Sequence, residues 1–214
     1  MRRVTFAFLT LCFLLLAGDV QAQVTLGLKG GLIISGLDFE DSGGTSIDLD
    51  SRTSFGGGAY LQAGLGDVLA LQAEALYAPG GARGEGGDGA LELTYIDVPL
   101  LLLFRVPAGD ASIWPILYAG PVLSFETSCR LKEDDGVSTD CGSGSGNLFQ
   151  TNSPDVAGAI GGGLEVFMGR YTLQLDIRYS HGFVNIDDTE SGLAGSVKNR
   201  SWSFFLGLGR GLAP

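Results

Sequence analysis

The sequence has no run of 18 apolar residues, so no segment reads as a membrane-spanning helix. It has one histidine, His181, and three cysteines in 214 residues, too few and too scattered for a transition-metal site. Basic residues are also scarce, 13 Lys and Arg against 24 Asp and Glu, and a net charge of −11 excludes nucleic acid as a partner. No apolar pattern of helical period is long enough for a partner-binding coil. The chain is nonetheless 45% hydrophobic and carries 35 glycines. Such a composition needs another way to place apolar surface, and β-strands supply it.

Two arginines, an apolar run from Val4 to Leu16 and the small-residue pattern Val20-Gln21-Ala22 predict a secretory signal peptide over residues 1–22. A mostly apolar run of thirteen residues is too short to anchor the chain in a bilayer. Cys12 lies inside the run, and Leu9-Thr10-Leu11 is a poor lipobox, so lipidation is not expected. Without residues 1–22, Lys plus Arg falls to 11 and Asp plus Glu to 23, a net charge of −12 on residues 23–214. Those residues suffice for one domain.

Tyr171 to Ser180 alternates strictly: Tyr171, Leu173, Leu175, Ile177 and Tyr179 against Thr172, Gln174, Asp176, Arg178 and Ser180. That is a strand with one apolar and one polar face, about long enough to cross the hydrocarbon core, with tyrosines suited to both interfaces. Leu69 to Tyr77 repeats the pattern. Eight strands are predicted: Val24 to Ser35, Thr53 to Leu65, Leu69 to Tyr77, Leu91 to Val106, Ser112 to Phe125, Asp155 to Phe167, Tyr171 to Ser180 and Ser201 to Gly211. Their connections alternate between long (Gly36 to Arg52, Ala78 to Ala90, Glu126 to Pro154, His181 to Arg200) and short. Short turns on one side and long loops on the other characterise transmembrane barrels, with the short side in the periplasm. The expected fold is all-β, an eight-stranded antiparallel up-and-down transmembrane barrel in the outer membrane.

The long connections hold 15 acidic and 6 basic residues, most of the net negative charge. Charged and polar residues within strands fall in the polar register: Lys29, Gln72, Glu74, Asp97, Arg105, Glu165, Asp176 and Arg178. These are assigned to the lumen, where opposite charges should pair. Tyr60 joins them as filling. Gly56, Gly58, Gly161 and Gly163 lie inside strands, where glycine permits bending but leaves gaps for water. In the fourth strand Leu91 and Leu93 share one parity and Ile96 to Phe104 the other, so a bulge is expected near Tyr95 and a second irregularity at Pro99. With Cys12 removed, Cys129 and Cys141 are the remaining cysteines, with eleven residues between them in an oxidising compartment, and a disulfide between them is expected.

The segments Val24-Thr25-Leu26-Gly27-Leu28-Lys29-Gly30-Gly31, Tyr95-Ile96-Asp97-Val98-Pro99-Leu100, Tyr118-Ala119-Gly120-Pro121, Gly161-Gly162-Gly163-Leu164-Glu165 and Ile177-Arg178-Tyr179-Ser180-His181-Gly182 stand out. With them the chain resembles the small outer-membrane β-barrel family, the "porin family" or outer membrane protein β-barrel domain, over roughly Gln23 to Gly211. The resemblance implies eight strands, outer-membrane lipid as surroundings and assembly by the barrel-assembly machinery. Family chains often end in an aromatic residue, whereas this one ends Gly211-Leu212-Ala213-Pro214.

Gly84, Gly86 and Gly89 fit G-x-G-x-x-G, but a strand pattern and not a helix follows, so they read as a loop and no cofactor is expected. Ser180 and His181 suggest a hydrolase pair, yet neighbours on a strand point to opposite faces. Acidic clusters at Asp38, Glu40 and Asp41, at Asp48 and Asp50, at Glu133 to Asp135 and at Asp187, Asp188 and Glu190 lack EF-hand spacing and read as solvated loops. The reading is a non-enzymatic barrel presenting acidic extracellular loops, with an extracellular or envelope protein as partner. The alternative is a small selective pore for ions or small solutes. A lipid-modifying outer-membrane enzyme and a soluble lipocalin-like binder, whose polarity is the reverse, rank below it.

Overall fold

The computed structural model describes residues 24–40, 46–48, 50–83, 90–106, 112–132, 138–140, 155–183 and 196–212. The expected signal peptide, Gly84, Gly86, Gly89, Cys141 and the acidic residues 133–135, 187, 188 and 190 lie outside them. Eight long strands are present: β1 (Val24–Glu40), β3 (Asp50–Gly64), β4 (Leu69–Arg83), β5 (Ala90–Arg105), β6 (Ile113–Lys132), β8 (Asp155–Met168), β9 (Tyr171–Gly182) and β10 (Ser196–Gly211). Two three-residue strands, β2 (Ser46–Asp48) and β7 (Ser138–Asp140), pair only with β1 and β6. Each long strand pairs antiparallel with its sequence neighbour, and β10 pairs with β1 from Thr25↔Gly211 to Glu40↔Ser196. That last ladder closes an eight-stranded barrel with no free edge along its wall.

Seven of the eight strands run further than their alternation suggests at the end facing the long connections; β6, for example, reaches Lys132 and not Phe125. Apolar alternation marks only the stretch that lipid covers, whereas backbone pairing continues above it because water does not compete it away. At the other end the turns are tight. Leu65 N–H donates to Leu69 O at 2.8 Å, and Gly169, at φ +66°, opens the two-residue link between β8 and β9, a conformation that suits glycine.

The outside of the wall is apolar: Leu28, Phe55, Leu102, Leu117, Ile160, Leu175, Ile177, Phe204, Leu206 and Leu208 are all exposed. The inside holds Lys29, Gln62, Gln72, Glu74, Glu165, Gln174, Asp176 and Arg178, all buried. Soluble lipocalin-like barrels have the opposite polarity, which sets that reading aside. Aromatic residues gather at the end of the apolar band nearer the long connections. Phe55, Tyr77, Phe125 and Phe183 are exposed there, and Tyr179 packs on Trp202 at 5.1 Å between ring centroids.

The expected phase change in β5 does not occur. Leu93, Tyr95, Pro99, Leu101 and Leu103 all face inward, and Leu100, Leu102 and Phe104 face out, so one parity holds throughout. The register shift between Thr94 and Tyr95 lies in the partner strand, where Thr127 of β6 is the extra residue and its hydroxyl donates to Thr94 O at 3.0 Å. At Pro99 the β4–β5 pairing is interrupted without a change of register: it passes from Ala73↔Leu100 to Leu76↔Asp97 and skips Glu74 and Ala75, opposite a residue with no N–H to donate.

Candidate functional site

Inward-facing residues on β1, β4, β6 and β9 converge at mid-height of the lumen. Lys29 Nζ donates to Glu74 Oε1 at 2.9 Å and to Asp176 Oδ2 at 2.8 Å. Arg178 clasps Glu74 with both ends of its guanidinium, Nη1 to Oε2 at 2.8 Å and Nη2 to Oε1 at 2.9 Å. Tyr118 Oη donates to Asp176 Oδ1 at 2.8 Å, and Gln72 Nε2 donates to Glu74 Oε1 at 2.6 Å. Two cations and two carboxylates thus neutralise one another in a layer where every member is at most 5% exposed. Removing one member would strand a buried charge. Aromatic rings close the remaining space: Lys29 lies 5.5 Å from the Tyr60 and Phe205 centroids, and Arg178 lies 5.4 Å from Tyr118.

A second layer lies toward the short turns. Arg105 Nε donates to Glu165 Oε2 at 2.7 Å, and Arg105 Nη2 donates to Gln62 Oε1 at 2.8 Å. Gln62 Nε2 donates to Gln72 Oε1 at 3.0 Å and to Glu165 Oε1 at 2.7 Å, which joins the two layers. Beneath them Trp114 meets Phe167 edge to face at 5.6 Å, and Arg105 stands 5.9 Å over Phe167. Among these polar side chains, Ala70, Leu101, Leu103, Ile116, Val122 and Ala159 from β4, β5, β6 and β8 pack together as an apolar cluster. The lumen is therefore filled by polar layers and an apolar cluster side by side.

Seven of the eight residues assigned to the lumen meet in these two layers. Asp97 stands apart, higher up, hydrogen-bonded to Ser124 on β6 and facing Arg178 across the lumen. Gln62, Gln174 and Tyr118 belong to the interior as well, and their inward parity with Tyr60, Asp176 and Ile116 was the available signal. The gaps expected at glycines are filled. A Cβ on Gly161 would strike the Tyr118 ring, one on Gly56 would strike Ile33, and those on Gly58 and Gly163 would strike the carbonyls of Ala75 and Leu175.

Above Arg178 the lumen opens into a cavity of about 50 Å³, lined by Tyr95, Asp97, Ser124, Asp155, Ser180 and Ser201 among others. Ser180 faces this cavity, whereas His181 packs on the outside against Tyr179 and Phe183 at centroid distances of 6.4 and 6.3 Å. The two do not meet. Cys129 is disulfide-bonded.

A closed antiparallel barrel with a paired polar interior and an apolar, aromatic-edged exterior is a transmembrane β-barrel. The chain belongs to the outer membrane protein beta-barrel domain family, whose profile matches residues 21–188. No curated protein matches the sequence. Among solved structures, Neisserial surface protein A (NspA) is similar at 13% identity and TM-score 0.51, over 87% of this chain and 97% of that one. Outer membrane protein AlkL in lipid bilayers shares 17% identity at TM-score 0.52, over 92% and 94%. The E. coli outer membrane protein W shares 13% identity at TM-score 0.50, over 90% and 100%. At these identities the likeness concerns the fold.

Proposed function

We propose that the chain is a non-enzymatic outer-membrane barrel whose lumen is closed and whose long, acidic connections carry its role in surface interaction. One observation carries this reading: the layer of Lys29, Glu74, Arg178, Asp176 and Tyr118 spans the lumen from β1 to β4, β6 and β9 with its charges paired. A barrel sealed at its waist has its outward-facing loops left as the part that meets other molecules. The separation of Ser180 from His181 supports a role without hydrolysis.

Export by an N-terminal signal over residues 1–22 and insertion by the barrel-assembly machinery complete the proposal. The test uses whole cells displaying the barrel and cells displaying a version with Glu133, Asp134, Asp135, Asp187, Asp188 and Glu190 converted to amides. Attachment to protein-coated surfaces should fall in the second while its folded barrel reaches the membrane in the same amount. Equal attachment by both, or by cells without the barrel, overturns the reading.

A further inference from the structure

The outer cavity holds acidic groups that the closing layers do not use. Asp97, Ser124 and Asp155 form one cross-strand row over β5, β6 and β8, and one step further out Tyr95 stands opposite Glu126. Asp155 is 4% exposed, lines the cavity, and its Oδ1 has no hydrogen-bond partner. Glu126 Oε2 is also buried without a partner. A buried carboxylate oxygen is costly to leave unmatched, so these atoms ask for a donor that is cationic. No arginine donates to either atom. Arg178, below, gives both terminal nitrogens to Glu74, and Arg200 lines the cavity from the outward register of β10 that it shares with Trp202 and has an interaction of its own.

The arrangement distinguishes between cations. Among the described residues no three carboxylate, histidine or cysteine groups are gathered closely enough to hold a metal ion. Asp97 and Asp155 sit on strands with β6 between them, a backbone separation of about 10 Å at ordinary strand spacing, so they flank a guest and do not converge on a point. Part of the wall is apolar, from Ile33, Ala78, Val122 and Ala157, and Ser35, Ser180, Ser201 and Asn199 stand beside it. Carboxylates at one end and methyl groups along one side suit a charged N–H donor on a short hydrocarbon stem.

We propose that this outer cavity binds a small primary alkylammonium ion. Asp155 accepts a hydrogen bond from the ammonium, Asp97 supplies further charge, and the alkyl stem lies against Ile33, Ala78 and Val122. That the cavity faces the exterior rests on the orientation given above; the binding does not.

The probe is n-butylammonium chloride, titrated calorimetrically into the mature protein in detergent at fixed ionic strength. Saturable binding is expected, with affinity about tenfold lower for tetramethylammonium, which has no N–H, and about tenfold lower for Asp155→Asn, which keeps the shape and loses the charge. Folding of each variant is checked by its mobility on unheated gels. Should Asp155→Asn not fold, Asp97→Asn and the tetramethylammonium comparison decide. Absence of saturable butylammonium binding overturns the proposal. So does equal affinity for the two ammonium ions, unchanged affinity in both folded variants, or Ca²⁺ binding to the same site more tightly than butylammonium does.

Discussion

Lys29 and Asp176 are 147 positions apart in the chain and meet at 2.8 Å inside the lumen. Their strands, β1 and β9, are not neighbours; β10 lies between them and pairs with both. The contact therefore exists only because the barrel is closed, and Glu74, which accepts from Lys29, Gln72 and Arg178, is the centre on which closure and charge pairing depend together.

Replacing Glu74 by Ala removes the carboxylate that Arg178 clasps and leaves Lys29 with Asp176 as its carboxylate partner, and should cost about 3–5 kcal/mol of stability, the usual penalty for breaking a buried pair. The urea midpoint of the mature protein, followed by the loss of the fast-migrating unheated gel band, measures it. A double change that removes both charges, Glu74→Leu with Arg178→Met, should recover much of the loss. A midpoint unchanged by Glu74→Ala would show that the network contributes nothing.

Gly161 keeps open the space that the Tyr118 ring fills. Gly161→Val should push that ring aside, break its bond to Asp176 and destabilise the barrel by about 1–3 kcal/mol, as overpacking does. Combining it with Tyr118→Ala should cost less than the sum of the two single changes, because both act on the same space. Strict additivity in the urea midpoints would contradict the packing.

Strands with one polar and one apolar face were legible in the sequence, which is why β4, β9 and the charged lumen residues could be placed by parity alone. β5 was not, because Leu101 and Leu103 point inward while Leu100, Leu102 and Phe104 point outward. An apolar lumen wall erases the alternation and makes a regular strand look out of phase. The role of the glycines was hidden for a different reason: whether a missing Cβ leaves a hole or admits a ring depends on a neighbour distant in sequence, as Gly161 depends on Tyr118. Asp155 was passed over because it stands at the start of β8, where a carboxylate reads as solvated.

Cys129 lies on β6 opposite Leu93, above the apolar band, and is disulfide-bonded. We expect Cys141 to be its partner. Thiol titration of the unfolded, unreduced mature protein should find no free thiol, and peptide mapping should recover the 129–141 link. In the chain-entropy account a loop of this size is stabilised by roughly 3 kcal/mol, so reduction should raise proteolysis within residues 130–140 while leaving the barrel's gel mobility unchanged. Two titratable thiols would refute the bond.

The last prediction concerns transport. An eight-stranded barrel has an interior just wide enough for side chains to fill, and general porins reach a water-filled channel only with about sixteen strands. Here the filling is specific: Trp114 and Phe167 toward the short turns, then Arg105 with Glu165, then the layer of Lys29, Glu74, Asp176 and Arg178, with Leu101, Leu103 and Ile116 packed beside them. The cavity beside Asp97 and Asp155 shares Asp97, Val122 and Ser180 with a second pocket beneath it, and Arg178, fixed to Glu74, lines that deeper pocket. An ion entering from outside would have to break that clasp, and in a buried layer the charges left behind have no water to turn to. The wild-type barrel in a planar bilayer should therefore show no steady conductance. Truncating Lys29, Glu74 and Arg178 to Ala together removes the clasp without leaving net charge imbalance beyond one unit, and should yield small, brief openings if the variant folds. Steady wild-type currents of general-porin size would show that the filling seen here does not seal the lumen.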